Sequence, residues 1–252
     1  MKPPTAKPSL LDQLRAQSAA MQAEEGAKRR PVEEALQDID RRLWRAFRWL
    51  DEALHHLEVI RPDVAHAFRL DPILAIEAPH FDRGFVSYRR RALGGLELLE
   101  HVEVFYRLAK DGEIVLKVPP GAALGVEERL RAANLQYHYQ TEMDHNRVVR
   151  HGVFRVTPEI TSSIRFAPDY RRQVVEVTLR NVDRFEAVAL EFRADAIDEA
   201  VLEDLFRFVM GEANTFLRRA PLVGVGARRS EARSAPASTI PPIGAGAPAR
   251  AR

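Results

Sequence analysis

Apolar residues recur at alternating steps of three and four between positions 36 and 60. The series is Leu36, Ile39, Leu43, Ala46, Leu50, Ala53, Leu57 and Ile60. That spacing sets one face of an α-helix and reads as an a/d seam of the coiled-coil kind. Trp44, Phe47, Trp49 and Leu54 flank the seam, and a stripe that wide suits burial on two sides. The helix is predicted from about Pro31 to Ile60. Pro31 suits a first helical turn, where its missing N–H has no partner anyway. Glu33 and Glu34 suit the positive end, and Pro62 stops the helix. Two arrangements satisfy the pattern. The helix pairs with a copy of itself or another helical partner, or it lies across the sheet of its own domain. Upstream, Ser9 is placed to cap a short helix reaching about Glu25, built on Leu10, Leu11, Leu14 and Met21. Gly26 and the Lys28-Arg29-Arg30 run are expected to break it.

From Val64 the period changes to two, the signature of strands. Strands are predicted at 64–70, 73–78, 83–92, 97–109, 112–118, 135–141, 146–157, 162–167, 173–181 and 184–193. Val102, Val104, Tyr106 and Leu108 share one face of the fourth, with Glu103, Phe105 and Arg107 on the other. Clean alternation of this kind belongs to antiparallel sheets with one wet face. Asp111-Gly112 is a preferred pair for a type I′ turn, so a hairpin is expected there. A helix is predicted at 123–133. A last one is expected to be capped by Asp195, with Ile197, Val201, Leu205, Phe208, Val209 and Phe216 buried and Gly211 kinking or interrupting it.

The fold expected is α+β. An antiparallel, meander-type β-sheet carries an inserted helix and a C-terminal helix. A long coiled-coil-like N-terminal helix precedes it, and a disordered basic tail follows. The expected division is a disordered or short helical arm at 1–30, the long amphipathic helix at 31–61, the α+β domain at 62–220 and the tail at 221–252. Gly, Ala, Pro, Ser and Arg dominate that tail.

Charge sharpens the division. Residues 1–31 hold six Lys/Arg against three Asp/Glu, and residues 217–252 hold seven Arg against Glu231 alone. With a net charge of +2 for the chain, residues 32–216 carry an excess of seven acidic groups. Basic ends on an acidic body fit either solvated tails or an anion-binding role. For the latter, Arg218, Arg219, Arg228, Arg229 and Arg233 are the candidates. The chain has no cysteine, which excludes disulfides and thiolate metal sites. No apolar run approaches the roughly 18 residues that a bilayer span needs. No secretory signal is expected, and the cytoplasm is the expected location.

Candidate chemistry is sparse. Walker A, HExxH, GxSxG and EF-hand patterns are missing from the sequence. His138, Glu142, Asp144 and His145 cluster near one turn and have metal-ligand chemistry, but equally ordinary turn roles. Glu77, His80 and Asp82 form a similar trio. His55 and His56 sit on the long helix, with Asp51 four residues before His55. Arg89-Arg90-Arg91 beside Phe85 and Tyr88 reads either as a phosphate grip or as a charged edge strand. No cofactor, metal or catalytic residue is assigned. The expected function is protein–protein interaction or assembly, as a homo-oligomer or with a helical partner. Its surface is the seam of Leu36, Ile39, Leu43, Leu50, Leu57 and Ile60. The alternatives are binding of an anionic surface, nucleic acid or membrane, through the basic ends, and a small-ligand binder or enzyme with a pocket under the sheet.

Overall fold

Residues 10–60 form one helix where the pattern predicted two. Helix α1 spans Leu10–Ile60 without a break and contains Pro31, a length of about 77 Å. Gly and Pro in a helix interior cost about 1 and 3 kcal/mol against Ala. Strong helix formers surround them, among them Ala16, Ala19, Ala20, Ala23 and Ala27. The Glu25–Arg29 pair, 2.7 Å apart, bridges position 26. The boundary expected between residues 30 and 31 is therefore interior to α1. Arg61 takes a positive φ of 48° just past the helix end, its N–H bonded to the Leu57 carbonyl, and Pro62 follows. The structure, a computed structural model, describes residues 9–225.

The strands are β1 (Ala67–Leu70), β2 (Leu74–Glu77), β3 (His80–Leu93), β4 (Leu96–Ala109), β5 (Ile114–Val118), β6 (Tyr137–Met143), β7 (Val149–Val156), β8 (Glu159–Asp169), β9 (Val174–Arg180), β10 (Ala187–Arg193) and β11 (Leu222–Val225). Helix α2 (Ala123–Ala132) separates β5 from β6, and α3 (Glu199–Met210) follows β10. All pairings are antiparallel. The main sheet has the order β11-β10-β9-β8-β4-β3, a small sheet has β5-β7-β6, and β1 pairs with β2. The α+β class and the helix order are as the sequence predicted.

Four local expectations are corrected. Strands β4 and β5 do not form a hairpin across Asp111-Gly112. Both edges of β4 are already taken, by β3 and β8, so β5 pairs instead with β7. The cap of α3 is Asp198, whose side chain accepts the Val201 N–H at 2.9 Å. Asp195 sits one turn earlier and pairs with Arg193 at 2.7 Å. Gly211 interrupts the last helix, one of its two expected roles, ending α3 at Met210 in the left-handed conformation at φ 75°, so the helix does not reach Phe216, which lies in a separate 3₁₀ turn. Finally, Leu222–Val225 joins β10 as the sixth strand, so the segment expected as tail begins with sheet; residues 226–252 lie outside the described residues.

One face of the main sheet is dry. Val102, Val104, Tyr106 and Leu108 of β4 line up with Ile160, Ile164 and Phe166 of β8 and Val175, Val177 and Leu179 of β9, all buried. Helices α1 and α3 cover that face and meet each other at Trp49 and Phe206, whose rings stand edge to face 5.1 Å apart. The underside of the sheet is thus filled by helix side chains. The small sheet and α2 extend the same core through Leu130, Leu135, Phe154 and Val156.

Candidate interaction surface on the long helix

Helix α1 is held on its sheet by side chains that reach backbone groups. The Asp40 carboxylate accepts the Leu99 N–H at 2.7 Å, and the Tyr170 hydroxyl donates to the Leu99 carbonyl at 2.8 Å. Burial and the nearby Asp40 charge push the Tyr170 hydroxyl far above its ordinary pKa. Further along, Glu58 accepts the N–H of Gly84 on edge strand β3 at 2.9 Å. A Cβ at Gly84 would lie 3.0 Å from the Phe105 carbonyl and 3.2 Å from Leu54 Cδ2. Glycine is what lets the helix come this close. Trp44 and Phe47 pack against Tyr88, with ring centroids 4.8 and 5.3 Å away.

These contacts decide where the seam residues stand. Ile39, Leu43, Ala46, Leu50 and Leu54 are buried inside the chain's own fold, while Leu36 and Leu57 are half-buried against the same core. Ile60 is exposed. The run of buried residues drifts from Leu50 to Leu54, as a straight helix of about 3.6 residues per turn requires and a 3.5-residue seam does not.

The free apolar face lies elsewhere on α1. Leu10, Met21, Val32, Leu43 and Leu54 recur every eleven residues, three turns of helix, so they form one nearly axial line. Leu43 and Leu54 are 0% and 3% exposed, whereas Leu10, Met21 and Val32 are 73%, 67% and 60% exposed. Leu14, also exposed, lies beside that line. One continuous stripe is therefore covered below Val32 and bare above it. The eleven-residue period was present in the sequence. Three-four alternation carries the seam above Leu36 only as far as Val32, because Arg29, Glu25 and Gln22 occupy the next seam positions.

A groove of about 370 Å³ opens where the bare stripe meets the domain, lined by Ala35, Asp38, Ile39, Val174 and Arg193 among others. A second groove, about 670 Å³, lies on the outer face of the main sheet and is lined by Arg91, Arg165, Arg171, Arg172 and Tyr170 among others. Arg172 pairs with Glu191 at 2.8 Å, and Arg165 donates to His101 Nδ1 at 3.1 Å. Partial burial, then the Arg165 charge, lowers the His101 pKa. Arg89 and Arg90 pair with Glu100 and Glu97, as a charged edge strand would.

The other candidate residues are occupied or dispersed. Asp144 caps its own turn through the N–H groups of Asn146 and Val148 and pairs with Arg150. Glu142 pairs with Lys117 at 2.8 Å. Asp82 holds Arg107, whose hydrogen bonds keep the carboxyl below its ordinary pKa. His55 and His56 are exposed on α1. Among the described residues no three His, Asp or Glu converge as metal ligands, and no helix is long and apolar enough to cross a membrane. Of the tail arginines, Arg218 is exposed. Arg219 is a fold residue: its Nε donates at 2.7 Å to Asp204, which also accepts the Thr215 N–H and hydroxyl. Burial alone would raise the Asp204 pKa, but the bonds from Thr215 and Arg219 outweigh it and hold the carboxyl below its ordinary value. Arg228, Arg229 and Arg233 lie outside the described residues. Compared with protein-family models, curated proteins and solved structures, the chain finds no match.

Proposed function

We propose that the protein is an assembly module that associates with copies of itself through α1, using the bare stripe of residues 10–32. The stretch from Ile39 to Leu57 serves the chain's own core. The single observation that carries this reading is the eleven-residue line, buried at Leu43 and Leu54 and exposed at Leu10, Met21 and Val32. Among the described residues no element of the chain's own fold covers Leu10, Met21 and Val32, so apolar side chains at three-turn intervals along this part of α1 are best accounted for by a covering helix. Hydrogen exchange tests this. Amides of residues 12–30 should exchange slowly at tens of micromolar protein and much faster at high dilution. Equally fast exchange at both concentrations would overturn self-association.

A second reading, binding of an anionic small molecule, is favoured by the outer groove. Arg91 and Arg171 line it, and among the described residues neither pairs with a carboxylate. Titration with inorganic phosphate and pyrophosphate at low salt tests it. Loss of binding in Arg91→Ala/Arg171→Ala supports it; no binding to the unaltered protein removes it.

A further inference from the structure

We infer that the partner copy docks antiparallel, with Met21 at the two-fold axis and Leu10 of each chain against Val32 of the other. The inference rests on the self-association proposed above and adds its geometry. The decisive constraint is steric. Helix α1 is continuous from Leu10 to Ile60, and from Ile39 onward the stripe face is filled by the chain's own sheet and α3. A parallel partner laid along the same stripe would have to run its residues 33–60, and the sheet fastened to them, through that volume. An antiparallel partner ends where the domain begins.

The free stripe matches its own reverse. Leu10 and Val32 stand eleven residues either side of Met21, so a two-fold axis there sets apolar residues opposite one another at both ends and at the centre. The same operation sets Glu24 and Glu25 opposite Ser18 and Gln17, and Arg29 opposite Gln13. A parallel, in-register pair would stack Glu24 and Glu25 on their own copies and Arg29 on Arg29, like charge on like. The groove beside Ala35, Asp38 and Ile39 then lies next to the partner's Leu10–Leu11 turn. It extends the contact onto the domain.

The chain has no cysteine, so single cysteines placed in the full-length protein report the arrangement directly. All three target side chains are exposed, so the substitutions leave the fold intact. Met21→Cys should link into a dimer with a short bis-maleimide. A mixture of Leu10→Cys and Val32→Cys chains should link to each other in most of the protein. Leu10→Cys alone should link little, because its two copies stand about 33 Å apart in the antiparallel pair. Light scattering on the same samples separates the two levels of the claim. Twice the chain mass with Leu10→Cys linking to itself would overturn the antiparallel arrangement and leave assembly standing. Twice the mass with no link at any of the three positions would move the contact off the stripe and overturn the geometry. A single-chain mass would overturn both.

Discussion

Val32 and Ile39 stand seven residues apart on one face of α1, and the first is 60% exposed while the second is 3% exposed. Nothing in the residue types separates them; what changes between them is the arrival of the sheet. The same substitution should therefore have opposite readouts above and below this point. Leu43→Asp buries a charge at a position that is 0% exposed and should lower stability by several kcal/mol. Leu14→Asp, at an exposed position, should change the melting of the domain by less than about 1 kcal/mol and act on chain association instead. Urea titration of both variants checks the contrast. Equal losses of stability would mean that the arm is part of the folded core.

The close approach of α1 to the sheet predicts a sensitive glycine. Gly84→Ala adds a Cβ within 3.0–3.2 Å of the Phe105 carbonyl, Tyr106 Cβ and Leu54 Cδ2. It should cost about 1–3 kcal/mol by pushing the helix outward. Asp40→Ala leaves the Leu99 N–H without the carboxylate that caps it and should cost about 1–3 kcal/mol. Chemical denaturation measures both. An unchanged midpoint in Gly84→Ala would show that the helix rides further from the sheet than described.

The Asp204 clasp predicts a pH signature. Its carboxyl is held below the ordinary value by Thr215 and Arg219, against the opposing effect of burial. A depressed carboxyl stabilises the fold at pH above its unfolded pKa of about 3.9, and that contribution disappears as pH falls through the folded pKa. Asp82, held low by Arg107, acts in the same direction. Asp204→Asn should be less stable at neutral pH and show a shallower loss of stability below about pH 4. A mutant acid limb parallel to that of the unaltered chain would show that Asp204 carries no linkage.

Truncation after Ala220 removes Leu222–Val225, the edge strand paired with β10, and the Pro221 carbonyl that accepts the Glu191 N–H. The loss should be about 1–2 kcal/mol, the edge being largely exposed, and the melting temperature should fall by a few degrees. A coincident melting curve would mean that β11 adds nothing to the sheet.

Period-two alternation exposed nearly every strand because one sheet face is dry and the other wet, and β4, β9 and β10 carry that contrast residue by residue. Which strands pair was not legible: the Asp111-Gly112 turn looks like a hairpin locally, and only the occupation of both β4 edges sends β5 elsewhere. The seam at 36–60 was legible as an apolar face but not its occupant, since a sheet and a second helix demand the same spacing. Gly26 and Pro31 carry helix-breaking signals that α1 overrides across its whole length. The Asp204–Arg219 clasp left no local trace, because its partners are fifteen residues apart and ordinary in type.

The mass of the full-length protein in solution tests the central claim most directly. Light scattering at tens of micromolar should give twice the 28.5 kDa of one chain, and Met21→Glu should return it to a single chain with the melting temperature unchanged. A single-chain mass for the unaltered protein at that concentration would contradict self-association through α1.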